Sequence, residues 1–468
     1  YHIAHIAPLY MGVISSMVMI VIWIWTRTRV GIIAGVLVGS LLMLGTLTIW
    51  RSDIPTSSDL YGNRAFDAKV VSVDRRLDRT ILVVRDGKQK LQLSLSSTGP
   101  YLPGDHLTVR GTVVEVEDFT TESGRIFAYK SYVASKGIVG VINNPTVVLI
   151  EKGVFSFTRF ATTIRYGVAD IFARYIKFPF DGVVAGMLVG YQGSLPGYIQ
   201  DLFRDTGVLH VLVLSGYNIT LLAGFLALLL RALPFRLRSG ITIGAVVILV
   251  LISGAGVASV RAGIMGSIAV LAGLSLRTYQ PLRALVIAYL LFFFISPTSI
   301  FVDPGLHLSF LATLFMVLVL PRVGNLFPFI SKTKHIDLRE LMTLALLVPI
   351  FMLPYLMYFS GAFPLISPVA NILFALVTPS IMILGIVLLV TSWIPIIGSV
   401  LGALISLFGK GVLWFLKLCT KIPVWQTPTL PWWVVTGVYG MVLIGLFRRE
   451  INEYFVQLRR VLRQRTNS

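Results

Sequence analysis

The chain has 468 residues, of which 56% are hydrophobic and only 13% charged, and its mean hydropathy is +0.83. Soluble domains carry about a quarter of their residues as charges, so these values exclude a soluble globular protein and a protein with a single membrane anchor. They leave room for about ten spanning helices of about 20 apolar residues each, plus one domain outside the membrane. The net charge of +19 is weak evidence for a polyanionic partner, because Lys and Arg concentrate on cytoplasmic loops for insertion reasons alone. Residues 61–150 hold 12 Lys and Arg against 9 Asp and Glu, so the membrane part carries most of the excess. The one cysteine, Cys419, excludes an intrachain disulfide framework and a Cys-rich metal site. It reads as a small apolar side chain inside a helix.

Two apolar runs, from Pro8 to Trp25 and from Val30 to Trp50, are separated by Thr26-Arg27-Thr28-Arg29 and read as a transmembrane hairpin over residues 1–50. The first lacks the small-residue cleavage site of a signal peptide, so both are taken as retained spans. Residues 61–150 then alternate apolar and polar positions, as in Phe66–Val70, Arg79–Val84, Lys90–Leu95 and His106–Val116, with turns at Asp86-Gly87, Gly99-Pro100 and Pro103-Gly104. That pattern predicts five or six short antiparallel strands, which at this size fit a small β-barrel of OB-like type. Across residues 151–205, Phe155, Phe157, Phe160, Ile164, Val168, Ile171, Phe172 and Tyr175 recur at near-helical spacing among Arg159, Arg165, Arg174 and Lys177. This is a basic amphipathic helix, expected along the membrane surface. The glycine-rich run Gly182–Gly193 is too short to span and is expected to be re-entrant.

Nine further spans are predicted within a domain at 206–447: about 207–230, 239–254, 257–275, 282–297, 305–320, 340–359, 365–390, 397–418 and 431–447. A basic tail follows at 448–468. Basic clusters at Arg27/Arg29, Arg231/Arg236/Arg238, Arg277/Arg283, Arg322/Lys332/Lys334/Arg339 and Arg448/Arg449 fall on alternate connections. With those connections in the cytoplasm, the carboxy terminus is cytoplasmic and the β domain extracytoplasmic. The expected fold is thus a polytopic α-helical membrane protein with an extracytoplasmic OB-like barrel.

Polar residues inside spans are expensive and mark function first. Arg261 lies in the small-residue run Ser253–Gly263 with Ser259; it either snorkels to the interface or faces a phosphate. In Gly207–Thr220, His210, Ser215, Tyr217 and Asn218 cluster around a glycine. They read as a helix break lining a cavity, against a plain helix-packing cluster. Asp303 precedes Pro304 and suits a helix cap; His307 and Ser309 follow it, and Asn371 sits inside a later span. No Asp or Glu accompanies the Gly207–Thr220 run, which argues against a hydrolase triad or metal site. In the β domain, Arg75, Arg76, Arg79, Arg85, Lys88 and Lys90 are candidate contacts for a polyanion, interleaved with Asp74, Asp78 and Asp86 as on an ordinary solvated strand face.

Three separated segments resemble the ComEC competence-protein family: Thr206-Gly207 through His210 to Ser215-Gly216, Ser259-Val260-Arg261-Ala262 with Met265, and Asp303-Pro304-Gly305 with Leu308-Ser309-Phe310. The Ser367-Pro368, Asn371 and Pro379 spacing is similar as well. Tyr217-Asn218 stand where the family often has Leu-His, and His307 replaces its usual Gln. The resemblance implies a cytoplasmic-membrane channel that passes single-stranded DNA inward during natural transformation. It also implies partners: a DNA receptor and nuclease of the uptake machinery, and cytoplasmic motor or single-strand-binding proteins. Many relatives carry a metallo-β-lactamase-like domain, and no His-x-Asp-x-x-His occurs here. The chain is therefore expected to lack enzyme activity, metal and cofactor, leaving the nuclease absent or on another chain. The rival reading is a transporter or membrane enzyme handling an anionic small molecule or lipid through Arg261 and His210, and a scaffold for a surface machine ranks third.

Overall fold

The computed structural model describes residues 61–446 and 448, apart from 88, 97–98, 121–125, 128, 296–302, 324–337 and 427–429. The hairpin expected over 1–50 and the tail beyond Arg448 lie outside them.

The amino-terminal part is a β domain. Its strands are β1 (Gly62–Arg75), β2 (Thr80–Asp86), β3 (Gln89–Leu95), β4 (His106–Val114), the two-residue pair β5 (Phe119–Thr120) and β6 (Ile126–Phe127), β7 (Ile138–Asn143) and β8 (Thr146–Glu151). One short helix, α1 (Tyr129–Ser135), precedes β7. Alternation along the strands turns Val70, Leu82, Val84, Leu91, Leu93, Leu107, Val109 and Ile142 into one buried core. Strand β1 pairs with both β2 and β4, and the ladder runs β1-β2-β3-β7-β4 and back to β1, with β8 on the far edge of β4. An irregularity at Val70–Ser72 lets the long β1 bend between its two partners. The β3–β7 pair is parallel. Alternation cannot distinguish parallel from antiparallel strands; a parallel pair needs a crossover, here supplied by β4 and α1.

The chain enters the helical part through α2 (Phe157–Tyr175), capped by Ser156 Oγ, which accepts from Arg159 N at 3.2 Å. The joint is tightly built. Asp105 is buried and its carboxylate accepts from Arg159 Nη1 (2.5 Å), Gly153 N (2.8 Å) and Leu102 N (2.9 Å). Burial alone pushes this carboxyl up, yet the Arg159 and backbone hydrogen bonds together hold it below the ordinary aspartate value. Gly104 has φ +97, and a Cβ on Gly153 would lie 2.3 Å from the Gly104 carbonyl carbon, so glycine is required where the two loops cross. Further along α2, Tyr166 Oη donates to Val73 O (3.0 Å), its ring lies under the Arg75 guanidinium (4.2 Å to the centroid), and Tyr191 meets it edge-on. The other end of α2 meets the bundle, with Tyr175 Oη donating to Ser392 O at 2.8 Å.

The helical part continues with the short α3 (Phe180–Val189) and α4 (Gly197–Asp205), then α5 (Gly216–Leu229), α6 (Phe235–Ile252), α7 (Val257–Leu274), α8 (Pro281–Ile295) and α9 (Pro304–Leu314). Helix α9 runs on through a π turn, Phe315–Val319, to Val323. The last four helices are α10 (Leu338–Phe359), α11 (Ser367–Thr391), α12 (Pro395–Cys419) and α13 (Trp432–Leu446). A two-stranded ribbon, β9 (Ala362–Pro364) with β10 (Val424–Gln426), ties the loop after α10 to the loop after α12. Among the described residues six helices are long and apolar enough to cross a membrane, which makes this a multi-pass membrane protein. Helices α5, α8 and α13 are apolar but shorter than the spans the sequence suggested. The largest buried cluster joins α2, α3, α4, α11 and α12, and every residue of α3 is buried. Arg165 Nε donates to Ile252 O, and Gly193 abuts Arg75 O. Helix α2 therefore reaches the carboxy-terminal end of α6, and the loop after α3 meets the β domain at Arg75.

Candidate functional site

The run expected as one helix over 207–230 is broken where Ser215-Gly216 suggested. Gly207 has φ +74, Leu209–Val211 make a single 3-10 turn, and α5 starts only at Gly216. Ser215 is its N-cap, extended at φ −85 and ψ 164, with Oγ accepting from Asn218 N at 3.3 Å. Carbonyls freed by the break find new donors, as they must in a low-dielectric bundle. Leu212 O accepts from Gln192 Nε2 (3.2 Å) and Leu214 O from Ser259 Oγ (3.3 Å). Helix α3 backs the break. A Cβ on Gly186 would stand 2.5 Å from Leu212 O, and Asn218, only 2% exposed, donates Nδ2 to Met187 O at 3.1 Å. At the other edge Ser367 fills the space beside Gly207, and Asn371 Nδ2 donates to Ser367 O (2.9 Å) and Oγ (3.1 Å).

Arg261 meets this break from the second turn of α7. Its Nε donates to Ser309 Oγ at 2.8 Å, its Nη1 to Thr313 Oγ1 and, at 3.8 Å, to Met265 Sδ. A Cβ on Gly216 would lie 3.0 Å from Nη2, so the guanidinium sits against the first residue of α5. Ser309 and Thr313, one turn apart on α9, are neutral, and among the described residues no Asp or Glu forms an ion pair with Arg261. A helix amino terminus carries about half a positive charge. The arrangement thus sets a whole cation beside a partial one with no carboxylate to balance either, a place that attracts an anion.

Helices α9 and α10 together supply an aromatic face: His307 Nδ1 on α9 lies 2.7 Å from Tyr355 Oη on α10, and the Tyr355 and Phe359 rings are parallel within 6° at 6.3 Å. These rings are half-buried.

The profile of the competence protein family matches residues 187–451. The chain belongs to that family. Membership implies a part in DNA uptake for transformation. No curated protein and no solved structure matches the chain. The matched span starts in α3 and includes the break, Arg261, α9 and Asn371, while the β domain lies wholly before it.

In this competence protein the structure brings Ser215, Asn218, Ser259, Arg261 and Ser309 into one connected set and leaves other candidates apart. Asp303 caps α9, its Oδ1 accepting from Gly305 N (2.9 Å) and Leu306 N (3.4 Å). His210 is exposed on the 3-10 turn, and the Tyr217 side chain and Lys88 lie outside the described residues. Of the β-domain cations, Arg75 is turned into the joint with α2, donating to Tyr101 O, rather than outward to a ligand. Arg76 pairs with Asp74 (3.1 Å), Arg79 with Asp78 (3.5 Å), and Lys90 reaches Lys136 O (3.1 Å); Arg85 is exposed. Thr313 and Tyr355 were not singled out from sequence. Thr313 was readable as Ser309 plus one helical turn; nothing local marks Tyr355. Among the described residues no group of three His, Cys, Asp or Glu side chains is placed to hold a metal ion.

Proposed function

We propose that this competence protein conducts single-stranded DNA through the cytoplasmic membrane during natural transformation, with phosphates passing Arg261 at the mouth of α5. The observation that carries this reading is the uncompensated guanidinium against a helix amino terminus at a broken segment. A conduit for a polyanion needs cationic and hydrogen-bonding groups strong enough to replace water and sparse enough to let the strand move on. One arginine flanked by hydroxyls meets that need, and the His307, Tyr355 and Phe359 rings offer the stacking surface that unpaired bases use.

On this reading the β domain is an OB-like barrel, supported by the return of the strand ladder to β1, and it stands on the extracytoplasmic side. The alternation of basic clusters along the sequence supports that side through the positive-inside rule. Of its cations, Arg76 and Arg79 are paired with Asp74 and Asp78, leaving the exposed Arg85 and the half-buried Lys90, so it makes weak contacts with incoming DNA. The chain itself performs no catalysis, and removal of the second strand falls to a separate nuclease.

The test uses the purified chain in vesicles with a fluorescent single-stranded oligonucleotide, challenged by unlabelled single strand, duplex, inorganic phosphate and vesicles of anionic lipid. Retention displaced by single strand and little by the other competitors is expected. Displacement by phosphate or anionic lipid at equal charge would overturn the proposal in favour of a small-anion or lipid carrier.

A further inference from the structure

The amino end of α3 holds a carboxyl group that the DNA path does not use. Asp181 is the second residue of α3, 6% exposed, and its Oδ1 has no hydrogen-bond partner. Packing around it is close. Phe180 lies against Gly409 of α12, where a Cβ would come within 2.3 Å of the ring, and a Cβ on Gly182 would be 2.7 Å from Ser194 Oγ and 3.1 Å from Leu195. The charged groups on the neighbouring elements are Arg159, Arg165, Asp170, Arg174 and Lys177 at α2, Asp201, Arg204 and Asp205 on α4, and Lys410 and Lys417 on α12. Arg159 is held by Asp105 and Arg165 by Ile252 O, the others are exposed, and α11 has none. The tyrosines on these elements and beside them include Tyr166, bonded to Val73 O, Tyr175, bonded to Ser392 O, and the half-buried Tyr191. Among the described residues Asp181 forms no ion pair.

A carboxylate with one oxygen bare in such a place loses hydration that stays costly even after relaxation. Position at a helix amino terminus returns only a small part of that. The cost therefore exceeds the gain, and binding a proton is the one way to remove it without moving the backbone.

We propose that Asp181 is a proton-binding site: the carboxyl is neutral while α3 is seated in the bundle, and it gives up its proton only when α3 shifts and admits water to Oδ1. The consequence reaches the break, because α3 also carries Gly186 against Leu212 O and Met187 O to Asn218. Proton occupancy and the seating of residues 208–218 are thus linked. Acid favours the seated wall, and raising pH favours the displaced one. This holds whatever the protein carries.

The experiment is infrared spectroscopy of the purified full chain at neutral pH, wild type against Asp181→Asn, with Asp181→Glu as a variant that keeps an acid. A protonated-carboxyl C=O band is expected in the wild type, absent from Asp181→Asn and present but shifted in Asp181→Glu. As pH is raised, the wild type should lose melting temperature relative to Asp181→Asn. Spectra of wild type and Asp181→Asn that are identical in the carboxyl region at neutral pH would overturn the proposal. So would parallel melting curves for the two across the alkaline range.

Discussion

Replacing Arg261 by methionine separates the functional role of this side chain from a structural one, because the first predicts lost DNA retention with stability nearly unchanged and the second the reverse. In the protein the guanidinium is partly buried, with three neutral partners and no carboxylate. Burying a charge costs several kcal/mol (about), and replacing such groups by well-packed apolar side chains is often neutral or stabilising by about 1–4 kcal/mol. Against that, Ser309 Oγ loses a charge-assisted donor, worth about 1.5–3 kcal/mol. Thr313 Oγ1 keeps its own bond to Ser309 O at 3.0 Å. The balance for Arg261→Met therefore lies near zero, within about 2 kcal/mol either way. Transport behaves otherwise. A charge-assisted contact to phosphate contributes about 1.5–3 kcal/mol, so its loss weakens single-strand retention about 10- to 150-fold. The assay pairs thermal unfolding of the purified variant with retention of a labelled single-stranded oligonucleotide and transformation frequency. Destabilisation by 3–5 kcal/mol (about), the penalty for breaking a buried pair, with retention unchanged would refute the reasoning and leave Arg261 as a structural post.

Three other outcomes follow from the geometry. Gly186→Ala places a methyl 2.5 Å from Leu212 O and should cost about 1–3 kcal/mol, whereas Gly224→Ala, with nothing within 4 Å, should be neutral or stabilising by up to about 1 kcal/mol; melting temperatures of the two variants decide it. The Asp105 carboxyl is held below its ordinary value of 3.8, so its contribution to the β-domain joint is present above that value and lost as pH falls through the depressed one; protease sensitivity between Pro103 and Ser156 should rise on acidification in the wild type, and be high at every pH in Asp105→Asn. Ser215→Ala removes the α5 cap and should cost about 0.5–2 kcal/mol, read by thermal unfolding, while Ser215→Asp, which caps equally well, should keep stability but slow DNA uptake by placing a negative charge beside Arg261.

The sequence shows where the helices lie because most are apolar runs bounded by arginine or by turn residues, as at Arg231–Arg238 and Ser253–Gly256, though α5, α8 and α13 are shorter than the runs suggest. It shows the break as well, since Ser-Gly within an apolar run offers a cap and a residue free of Cβ constraint. It hides whatever depends on partners distant in the chain. Arg75 resembles its neighbours Arg76 and Arg79, and only the arrival of Tyr166, 91 positions later, turns it inward. The parallel β3–β7 pairing is invisible because alternation is the same in both directions. The burial of α3, which carries Asp181, depends on α11 and α12 about 200 residues further on, which pack on Phe180, Val184 and Leu188. Thr313 became a partner of Arg261 only through the crossing of α7 and α9.

The central claim, that single-stranded DNA passes the break between Leu212 and Asn218, is tested most directly by crosslinking during uptake. In a Cys419→Ser background, a single cysteine at Ser215 is coupled to a photoreactive group, and uptake of labelled DNA is started in intact cells before illumination. A control cysteine is placed at Val390, which is 68% exposed on the bundle surface. The account predicts a DNA adduct at position 215 that forms only while uptake proceeds, and none at 390. Normal uptake with no adduct at 215, or equal adducts at both positions, would contradict it.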